Sequence, residues 1–533
     1  MTPTHVEDLM RSLSPLSRSD IVAVPRMFAK IDEEVERYER DILQLESRIV
    51  YLRSKQEFLK RKKDRLKSLT APVRRLPTEV LSLIFINLCG DDGVVFAYDQ
   101  STPPLPFILT FVCHRWREVA IATPQIWSRI RLDESLDDGD IDSHTLFVPL
   151  QMALERSKGL PLSIYVGSRF IDRETSPLLD LLATQSQRWV DAHFVRLLKT
   201  AFQNAVIKTP LLLLQRLAVV DDGTDGNSFS MYAPDLCLFG DAPNLQALSI
   251  EVFPDDMVAP WDQIQHLELH LCRQEKMVKT LGLCSNLESV IFTTFELGSE
   301  SDMDLDSLEH QVSNLHQVEF RMTTSCSETD YGMSLSDLLN ALTLPEVHTM
   351  KFTRDCYPKG CYHSQWPRSH IDSFFQRSNC SLTTLYIDGH DISDKDALAL
   401  LALTPMLTRL RLQEPRAHVN NPNGQFELHS ISPLFLQTLH AFNYNAVSVC
   451  SSPLVPKLTS LHFTANASFN DALFGDMVVS RWIPEVDHAA VVGVECLRSV
   501  KLCVFGREFD QVQRKRLECL KSVGLEVDIS QMG

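Results

Sequence analysis

One short pattern recurs eleven times and restricts the fold more than any other feature of the chain. Each copy has an apolar residue, two variable residues, an apolar residue, one variable residue and a third apolar residue. This alternation is typical of a strand with one buried face. Units that repeat in this way stack, because each covers the apolar face of its neighbour. The copies begin at Leu214, Leu245, Ile264, Leu287, Leu315, Val347, Leu382, Leu407, Leu436, Leu458 and Leu497.

The repeated unit resembles a leucine-rich repeat. The resemblance implies an α/β solenoid with parallel strands on its inner side and helices on its outer side, and helix-like stretches at 336–342 and 394–403 fit this arrangement. The copies start 19 to 39 residues apart, which is looser than regular repeats. The asparagine that regular repeats place after the strand is mostly missing. A non-repeat α/β domain therefore stays the alternative.

The two variable columns of the copies predict which side chains point away from the core. Acidic residues occur only in the earlier copies, and from Lys351 onward every charged member is basic. Such a surface favours an acidic or phosphorylated peptide, because arginine offers two-point contacts to carboxylate or phosphate. The alternative is a set of solvated strand residues that neutralise nearby acids. The candidate substrate-binding residues are Lys351, Tyr386, Arg409, Arg411, His462 and Lys501.

A heptad repeat precedes these copies. Apolar residues follow alternating steps of four and three from Ile31 to Leu66, and only Gln56 and Lys63 interrupt the series. The pattern predicts a coiled-coil helix over residues 26–70. Its members are Ile31, Val35, Tyr38, Ile42, Leu45, Ile49, Leu52, Leu59 and Leu66.

The charges beside the heptad core restrict how this helix pairs. In a parallel, in-register homodimer Glu34 faces Glu39 and Lys55 faces Lys60, so the contacts repel. Reversing one helix places acidic residues opposite basic ones. We therefore predict an antiparallel coiled-coil partner or an unlike one, and the alternative is a single helix folded onto the protein's own body.

Four short motifs lie between the heptads and the copies. They are Leu-Pro-Thr-Glu-Val-Leu at 76–81, Ile-Phe at 84–85, Val-Cys-His-Arg-Trp at 112–116 and Pro-Gln-Ile-Trp at 124–127. Pro77 suits the start of a helix, and the apolar residues after it recur at helical spacing. The second apolar surface is too large for so short a segment to bury alone. The candidate partner-binding residues are Leu76, Pro77, Leu81, Ile84, Phe85, Val112, Trp116 and Trp127.

This series resembles an F-box, and its long insertion at 90–111, which we predict as a surface loop, is similar to the expanded fungal F-box families. The resemblance implies that these eight residues bind a Skp-family adaptor and, through it, the cullin of an SCF-type ubiquitin ligase. The rest of the chain then selects the substrate. The alternative is an ordinary helical subdomain whose tryptophans pack internally.

Composition excludes several other classes. The net charge of the chain is −17. Residues 76–533 hold 35 Lys and Arg against 57 Asp and Glu, a net charge of −22, and this negative charge disfavours binding to nucleic acid. No 18-residue apolar run or secretory signal is present, so we predict no membrane association and an intracellular protein, cytoplasmic or nuclear. The basic run 60–63 is either a nuclear import signal or a solvated helix end.

No catalytic motif is present, so we predict neither an enzyme nor a cofactor. Thirteen scattered cysteines indicate reduced thiols. Cys356, Cys361, His363 and His370 match no zinc template and are interpreted as a loop. Acidic residues at Glu300, Asp302, Asp304 and Asp306 and the turn-rich stretch 420–424 predict exposed loops.

The predicted fold class is α/β: a leucine-rich-repeat solenoid preceded by a small all-α F-box and an N-terminal coiled-coil helix. We predict a disordered segment over 1–25, the coiled-coil helix over 26–70, the F-box over 74–132, an acidic linker over 133–150 and the repeat domain over 151–533. The predicted function is a substrate-recognition adaptor of an SCF-type ligase. The alternative is a scaffold outside any ligase that uses the coiled coil and the repeats.

Overall fold

The structure is a computed structural model. Its residues form two compact units, Met1–Ile84 and Phe85–Gly533, and the boundary lies inside one helix. The acidic residues from Glu300 to Asp306, the stretch 420–424 and residues 134–142 of the predicted linker lie outside the described residues. The described residues are 7–8, 10–11, 15–96, 103–133, 143–167, 177–195, 207, 210–220, 239–250, 260–270, 274–295, 311–312, 315–323, 334–355, 366–415, 430–442, 453–466 and 469–532.

One long helix, α1 (Arg18–Leu69), makes up most of the first unit. Ser17 caps it, because its Oγ accepts a hydrogen bond from the backbone N–H of Asp20 at 3.2 Å. The helix therefore starts before the predicted boundary at residue 26, and residues 18–25 are helical rather than disordered. A 3₁₀ turn follows at Pro72–Arg75, and then α2 (Thr78–Cys89) begins.

The second unit is built on one parallel sheet. Fifteen of its described strands pair in strict chain order, from β1 to β17, and β9 and β11 form a separate two-stranded parallel pair. The strands are β1 (Val94–Phe96), β2 (Arg129–Leu132), β3 (Leu162–Val166), β4 (Trp189–Val195), β5 (Arg216–Val220), β6 (Ala247–Ile250), β7 (His266–His270), β8 (Ser289–Phe295), β9 (Gln311–Val312), β10 (Gln317–Thr323), β11 (Leu342–Thr343), β12 (Thr349–Asp355), β13 (Thr384–Asp388), β14 (Arg409–Gln413), β15 (Ser460–Ala465), β16 (Ser499–Phe505) and β17 (Glu526–Met532).

Helices connect many of the strands, and the five helices from Leu335–Ala341 to Asp471–Arg481 pack side by side in chain order. Ser334 caps the helix Leu335–Ala341 and Ser393 caps the helix Asp394–Ala402, and the two serines lie two residues and one residue before the predicted starts. The helices of the second unit are α3 (Leu105–Val112), α4 (His114–Ala122), α5 (Ser143–Arg156), α6 (Pro177–Ala183), α7 (Gln274–Leu283), α8 (Leu335–Ala341), α9 (Arg368–Ser378), α10 (Asp394–Ala402), α11 (Pro433–Leu439), α12 (Asp471–Arg481), α13 (Val486–Val492) and α14 (Gln511–Lys521).

Ten of the eleven predicted copies form strands of this sheet, and the first apolar residue of each of these copies is buried two residues before its strand. The prediction that the copy at Leu436 forms a strand is wrong. Ser432 accepts a hydrogen bond from the backbone N–H of Phe435, and Pro433 occupies the first turn, so the segment forms α11. Its members Thr438 and His440 therefore do not belong to the strand face.

The sheet also extends beyond the predicted repeat domain. Strands β1 and β2 lie inside the segment 74–132, so this segment is not all-α. The predicted surface loop at 90–111 contains β1 and most of α3, where Phe107 and Leu109 are buried. Helix α5 occupies the end of the predicted linker, and its Leu146 and Leu150 are buried.

Neighbouring repeats are joined by arginines that bind the carbonyls at the end of the preceding unit. These arginines are Arg188, Arg377 and Arg481, and burial lowers the pKa of each guanidinium group, in the case of Arg481 to about 10. Cations suit these positions because helix ends leave carbonyl groups without partners. Arg188 donates to the carbonyl of Leu160, Arg377 to those of Leu339 and Leu342, and Arg481 to those of Leu439, Leu454 and Val455.

Replacing Arg481 by Leu should destabilise the second unit by about 3 kcal/mol, because three buried carbonyls lose their donor. Urea unfolding monitored by tryptophan fluorescence measures the change. The matched control is Arg498→Leu, which alters an exposed arginine beside the next strand. Equal midpoints for the two variants would show that the guanidinium does not hold the repeats together.

A buried histidine makes the stability of the second unit sensitive to acid. His390 packs edge-on against Phe352 and Trp366, with ring centroids 6.4 and 5.7 Å apart. Burial lowers its pKa to about 4, and the Arg354 guanidinium acts in the same direction. The hydrogen bond to Thr353 and the charge of Asp391 act in the opposite direction.

Because the folded pKa lies below the ordinary value of 6.5, the unfolded chain binds the proton first. The stabilisation is complete above pH 6.5, and about 3 kcal/mol is lost as the pH falls to 4. We expect His390→Phe to remove this part of the pH dependence, as measured by urea unfolding at a series of pH values. His488→Phe, at an exposed position, should leave the dependence unchanged.

Candidate protein-interaction surfaces

The eight residues predicted to bind an adaptor do not form one exposed set. Leu81, Phe85 and Trp127 are buried, with at most 1% of each exposed. Leu76 and Trp116 are half-buried, and Pro77, Ile84 and Val112 are exposed.

Trp127 belongs to the core of the second unit. Its indole N–H donates to the carbonyl of Ala120 at 2.8 Å, and Phe107 meets its ring edge-on at 5.0 Å. The guanidinium of Arg156 lies 4.6 Å from the ring centroid. The prediction that Trp127 is open to a partner is therefore wrong, because the side chain is fully buried and its N–H and its ring already have partners within the second unit.

Helix α2 nevertheless exposes an apolar face. Leu81, Phe85 and Cys89 recur every fourth residue on the buried side. On the other side the sequence analysis selected only Ile84, although nearly every residue from 80 to 89 is apolar. Helices that are apolar all round are normally covered on all sides. We call the exposed side the α2 face, and it consists of Val80, Leu83, Ile84 and Leu88, which are 40%, 58%, 43% and 53% exposed.

The second unit exposes further apolar side chains next in the chain. Phe111 and Val112, at the end of α3, are 64% and 54% exposed. Ile108 in α3 and Ile121 in α4 are each 37% exposed. Apolar side chains gathered on neighbouring helices mark interaction sites more often than scattered ones do.

One row of side chains crosses the polar face of the sheet. The strand registers align one residue from each strand of the sheet after β1, so each member stands beside the next at the spacing of about 4.8 Å between strands. We call this set the central row: Arg131, Tyr165, His193, Ala218, Ser249, Glu268, Ile291, Glu319, Lys351, Tyr386, Arg411, His462, Lys501 and Asp528.

The middle of the central row is a charge-balanced network. Arg321, from the next row, binds Glu268 at 2.5 Å and Glu319 at 3.0 Å. Glu319 also lies 3.7 Å from the ammonium group of Lys351 and accepts a hydrogen bond from Thr353. The acidic residues predicted in the earlier copies are therefore neutralised within the sheet.

The basic half of the row is less positive than the sequence indicates. Arg411 forms an ion pair with Asp388 at 3.1 Å, and Lys351 lies between Glu319 and the Tyr386 ring, 5.8 Å from its centroid. Asp388 is on the same face of its strand, two residues beyond Tyr386, the last variable residue of this copy. It was missed because the six-residue pattern ends before it.

His462 adds little positive charge at neutral pH. Burial lowers its pKa, and the neighbouring cations Arg411 and Lys501 lower it further, whereas Asp528 raises it. Asp528 lies on β17, which the repeated pattern does not predict because Gly524 stands where the other copies have their first apolar residue. Both halves of the central row therefore interact with charged residues outside the six-residue pattern, namely Arg321, Asp388 and Asp528.

Two cations remain open on this face. Arg409 is exposed and its Nε donates to the hydroxyl of Thr384 at 3.0 Å, and Lys501 is exposed beside His462. Neither forms an ion pair with another of the described residues. The open cations Arg409 and Lys501 lie on β14 and β16, two strands apart, and Lys501 is two residues further along its strand than the residue aligned with Arg409, so their backbones are separated by about 12 Å.

Other kinds of site are not found in the part of the chain that the structure describes. No group of three or more His, Cys, Asp or Glu residues is placed to hold a metal ion there. Cys356, Cys361 and His363 lie outside that part, and His370 is on α9. No helix within it is long and apolar enough to cross a membrane. Its seven cysteines are free.

Comparison with known proteins leaves the family open. No protein-family model matches the chain. No curated protein matches it either. The F-box and leucine-rich-repeat resemblances therefore rest on the sequence motifs alone.

Proposed function

We propose that the chain is the substrate-recognition adaptor of an SCF-type ubiquitin ligase. In this proposal residues 74–132 act as an F-box that docks a Skp-family adaptor, which links the chain to a cullin. The fifteen-stranded array is a leucine-rich-repeat solenoid that holds the substrate. The chain performs no chemistry and contributes proximity and orientation.

The observation that carries the proposal is the exposed α2 face. Burial of a Val, Leu or Ile side chain stabilises a complex by about 1.5 to 3 kcal/mol. Four such residues on one helix are a strong reason for a partner to bind there. A helical partner whose apolar groove accepts the α2 face fits this arrangement.

The two open cations support the second part of the proposal. A phosphate or carboxylate that reaches Arg409 and Lys501 meets charges that no other described residue pairs with. The planar guanidinium of Arg409 favours phosphate or carboxylate, because such a group offers it two oxygens at once. The neutralised neighbours Lys351 and Arg411 then shape the surface without adding to its net charge.

Leu83→Asp with Leu88→Asp should abolish capture of a Skp-family adaptor, because both charges would have to be buried in the complex. We expect a loss of at least about 100-fold in affinity, measured by isothermal titration calorimetry. Changing Leu81 is less informative, because this residue is 1% exposed and its loss affects folding.

The matched control places the same two charges at exposed apolar positions of the last helix and the turn after it, Val512→Asp with Val523→Asp. This control should bind the adaptor like the wild type. If wild-type protein shows no adaptor binding, or if both double variants bind equally, the ligase proposal is wrong.

Arg409→Glu with Lys501→Glu should weaken binding of phosphorylated peptides at least tenfold, since two charge-assisted contacts become repulsive. A library of phosphopeptides and their unphosphorylated, acidic counterparts is screened by fluorescence anisotropy against the wild-type chain. Arg498→Glu with Lys515→Glu changes the charge equally at exposed positions outside the strands and should leave affinity unchanged. Equal effects of both variants would contradict a site on β14 and β16.

The alternative function is a scaffold outside any ligase, and the exposed apolar residues of α1 favour it. Such a scaffold assembles through α1 and binds proteins through the sheet. Adaptor capture by the α2 face separates the two functions.

A further inference from the structure

The heptad residues of α1 form an apolar stripe that is exposed and is interrupted only by Gln56 and Lys63. From Phe28 to Leu66 each apolar member is between 46% and 63% exposed, with Ile49 and Leu45 at the two limits. The helix runs unbroken over this stretch. Exposure of an apolar surface of this length to water is unfavourable, and it indicates that a partner covers the stripe.

We propose that α1 pairs with the α1 of a second copy of this chain as an antiparallel, two-stranded coiled coil centred on Ser47. In this register Val35 packs against Leu59 of the other copy, Ile42 against Leu52, and Leu45 against Ile49. Every core layer then joins an a position to a d position, which fills the core evenly. The inference is independent of the ligase proposal, because it uses neither the α2 face nor the sheet.

The charges beside the stripe select this orientation. In the antiparallel register the flanking contacts join Glu34 to Lys62, Asp41 to Lys55, Asp32 to Lys60 and Glu39 to Arg53. Twofold symmetry makes each contact occur twice, which gives eight attractive contacts. Like charges meet only at the centre, where Glu46 and Arg48 each face their own copy.

The parallel arrangement fails in two ways. Its flanking contacts join Glu34 to Glu39, Asp41 to Glu46, Arg48 to Arg53 and Lys55 to Lys60, and all of them repel. It also stacks Lys63 on Lys63 in the core. The antiparallel register places Lys63 opposite Ile31 and Gln56 opposite Tyr38, so the ammonium group is free to extend to water.

The geometry gives the dimer a consequence for binding. Leu69 of one copy lies level with Pro25 of the other, so the two chains leave the paired helices about 66 Å apart. A dimer of this kind presents two recognition surfaces to one target. Targets that carry two motifs are then bound more tightly than single motifs, without any new contact.

Two charge-reversed full-length chains test the orientation. Glu34→Lys with Asp41→Lys, and Lys55→Glu with Lys62→Glu, each turn four attractive contacts into repulsive ones in the antiparallel dimer. We expect the wild type to be a dimer in sedimentation equilibrium and each variant to dissociate with a constant at least tenfold higher. An equimolar mixture of the two variants should recover the dimer, because all exchanged contacts attract again.

A control with the same change in net charge, Glu33→Lys with Glu36→Lys, alters positions on the outer side of the helix and should remain dimeric. In a parallel dimer each charge-reversed chain would instead associate more tightly than the wild type. That result, or a wild-type chain that stays monomeric or forms a larger oligomer, would overturn the proposal.

Cysteine pairing checks the register directly. Ile42→Cys and Leu52→Cys chains should form a disulfide between positions 42 and 52 only when they are mixed, as mapped by mass spectrometry of disulfide-linked peptides. A parallel dimer would link each variant to itself. Self-linked peptides from either variant alone therefore contradict the antiparallel register, and the peptide map separates them from disulfides of the native cysteines.

Discussion

In-register pairing of parallel strands is the constraint on which the second unit depends. Each described strand from β1 to β17, apart from β9 and β11, pairs with its neighbours in chain order, so one apolar residue of each strand meets its equivalent on the next. Phe292, Phe320 and Phe352 illustrate this, because their rings stack at 5.9 and 5.4 Å on three adjacent strands. Shifting one strand by a single residue would expose its whole buried face.

The same register orders the polar face. Because side chains alternate along every strand, the residues that avoid the core form rows, and the rows bring together charges that are far apart in sequence. Arg321 and Glu268 are 53 positions apart and form an ion pair at 2.5 Å. Charge on this face is therefore a property of rows and not of single repeats. A cation that forms no ion pair with another described residue, as Arg409 and Lys501 do not, remains available to a partner, although Asp528 stands next to Lys501 in the central row.

Irregular repeat lengths are compatible with this regular sheet, because the connections carry the variation. Serine, asparagine and aspartate side chains cap α8, α10, α11, α12 and α14, and arginines such as Arg377 and Arg481 bind the carbonyls that end the preceding unit. Amides also take part. Asn244 and Asn286, each just before a repeat copy, donate to backbone carbonyls of the preceding unit at 2.7 and 2.6 Å. They supply bonds between repeats although the asparagine expected after the strand is missing.

Local pattern was sufficient to predict α1, most of the strands and the direction of the side chains on them. Heptads and strand alternation depend only on which residues lie close along the chain, and α1 and ten of the eleven copies follow them. The sequence did not predict which residues contact each other in the folded protein. Whether Trp127 and Leu81 are buried, whether Asp388 neutralises Arg411, and whether the strands before residue 151 join the sheet depend on segments distant in the chain. Burial and ion pairing are set by those distant neighbours, so only the tertiary structure decided which apolar and charged residues stayed available to a partner.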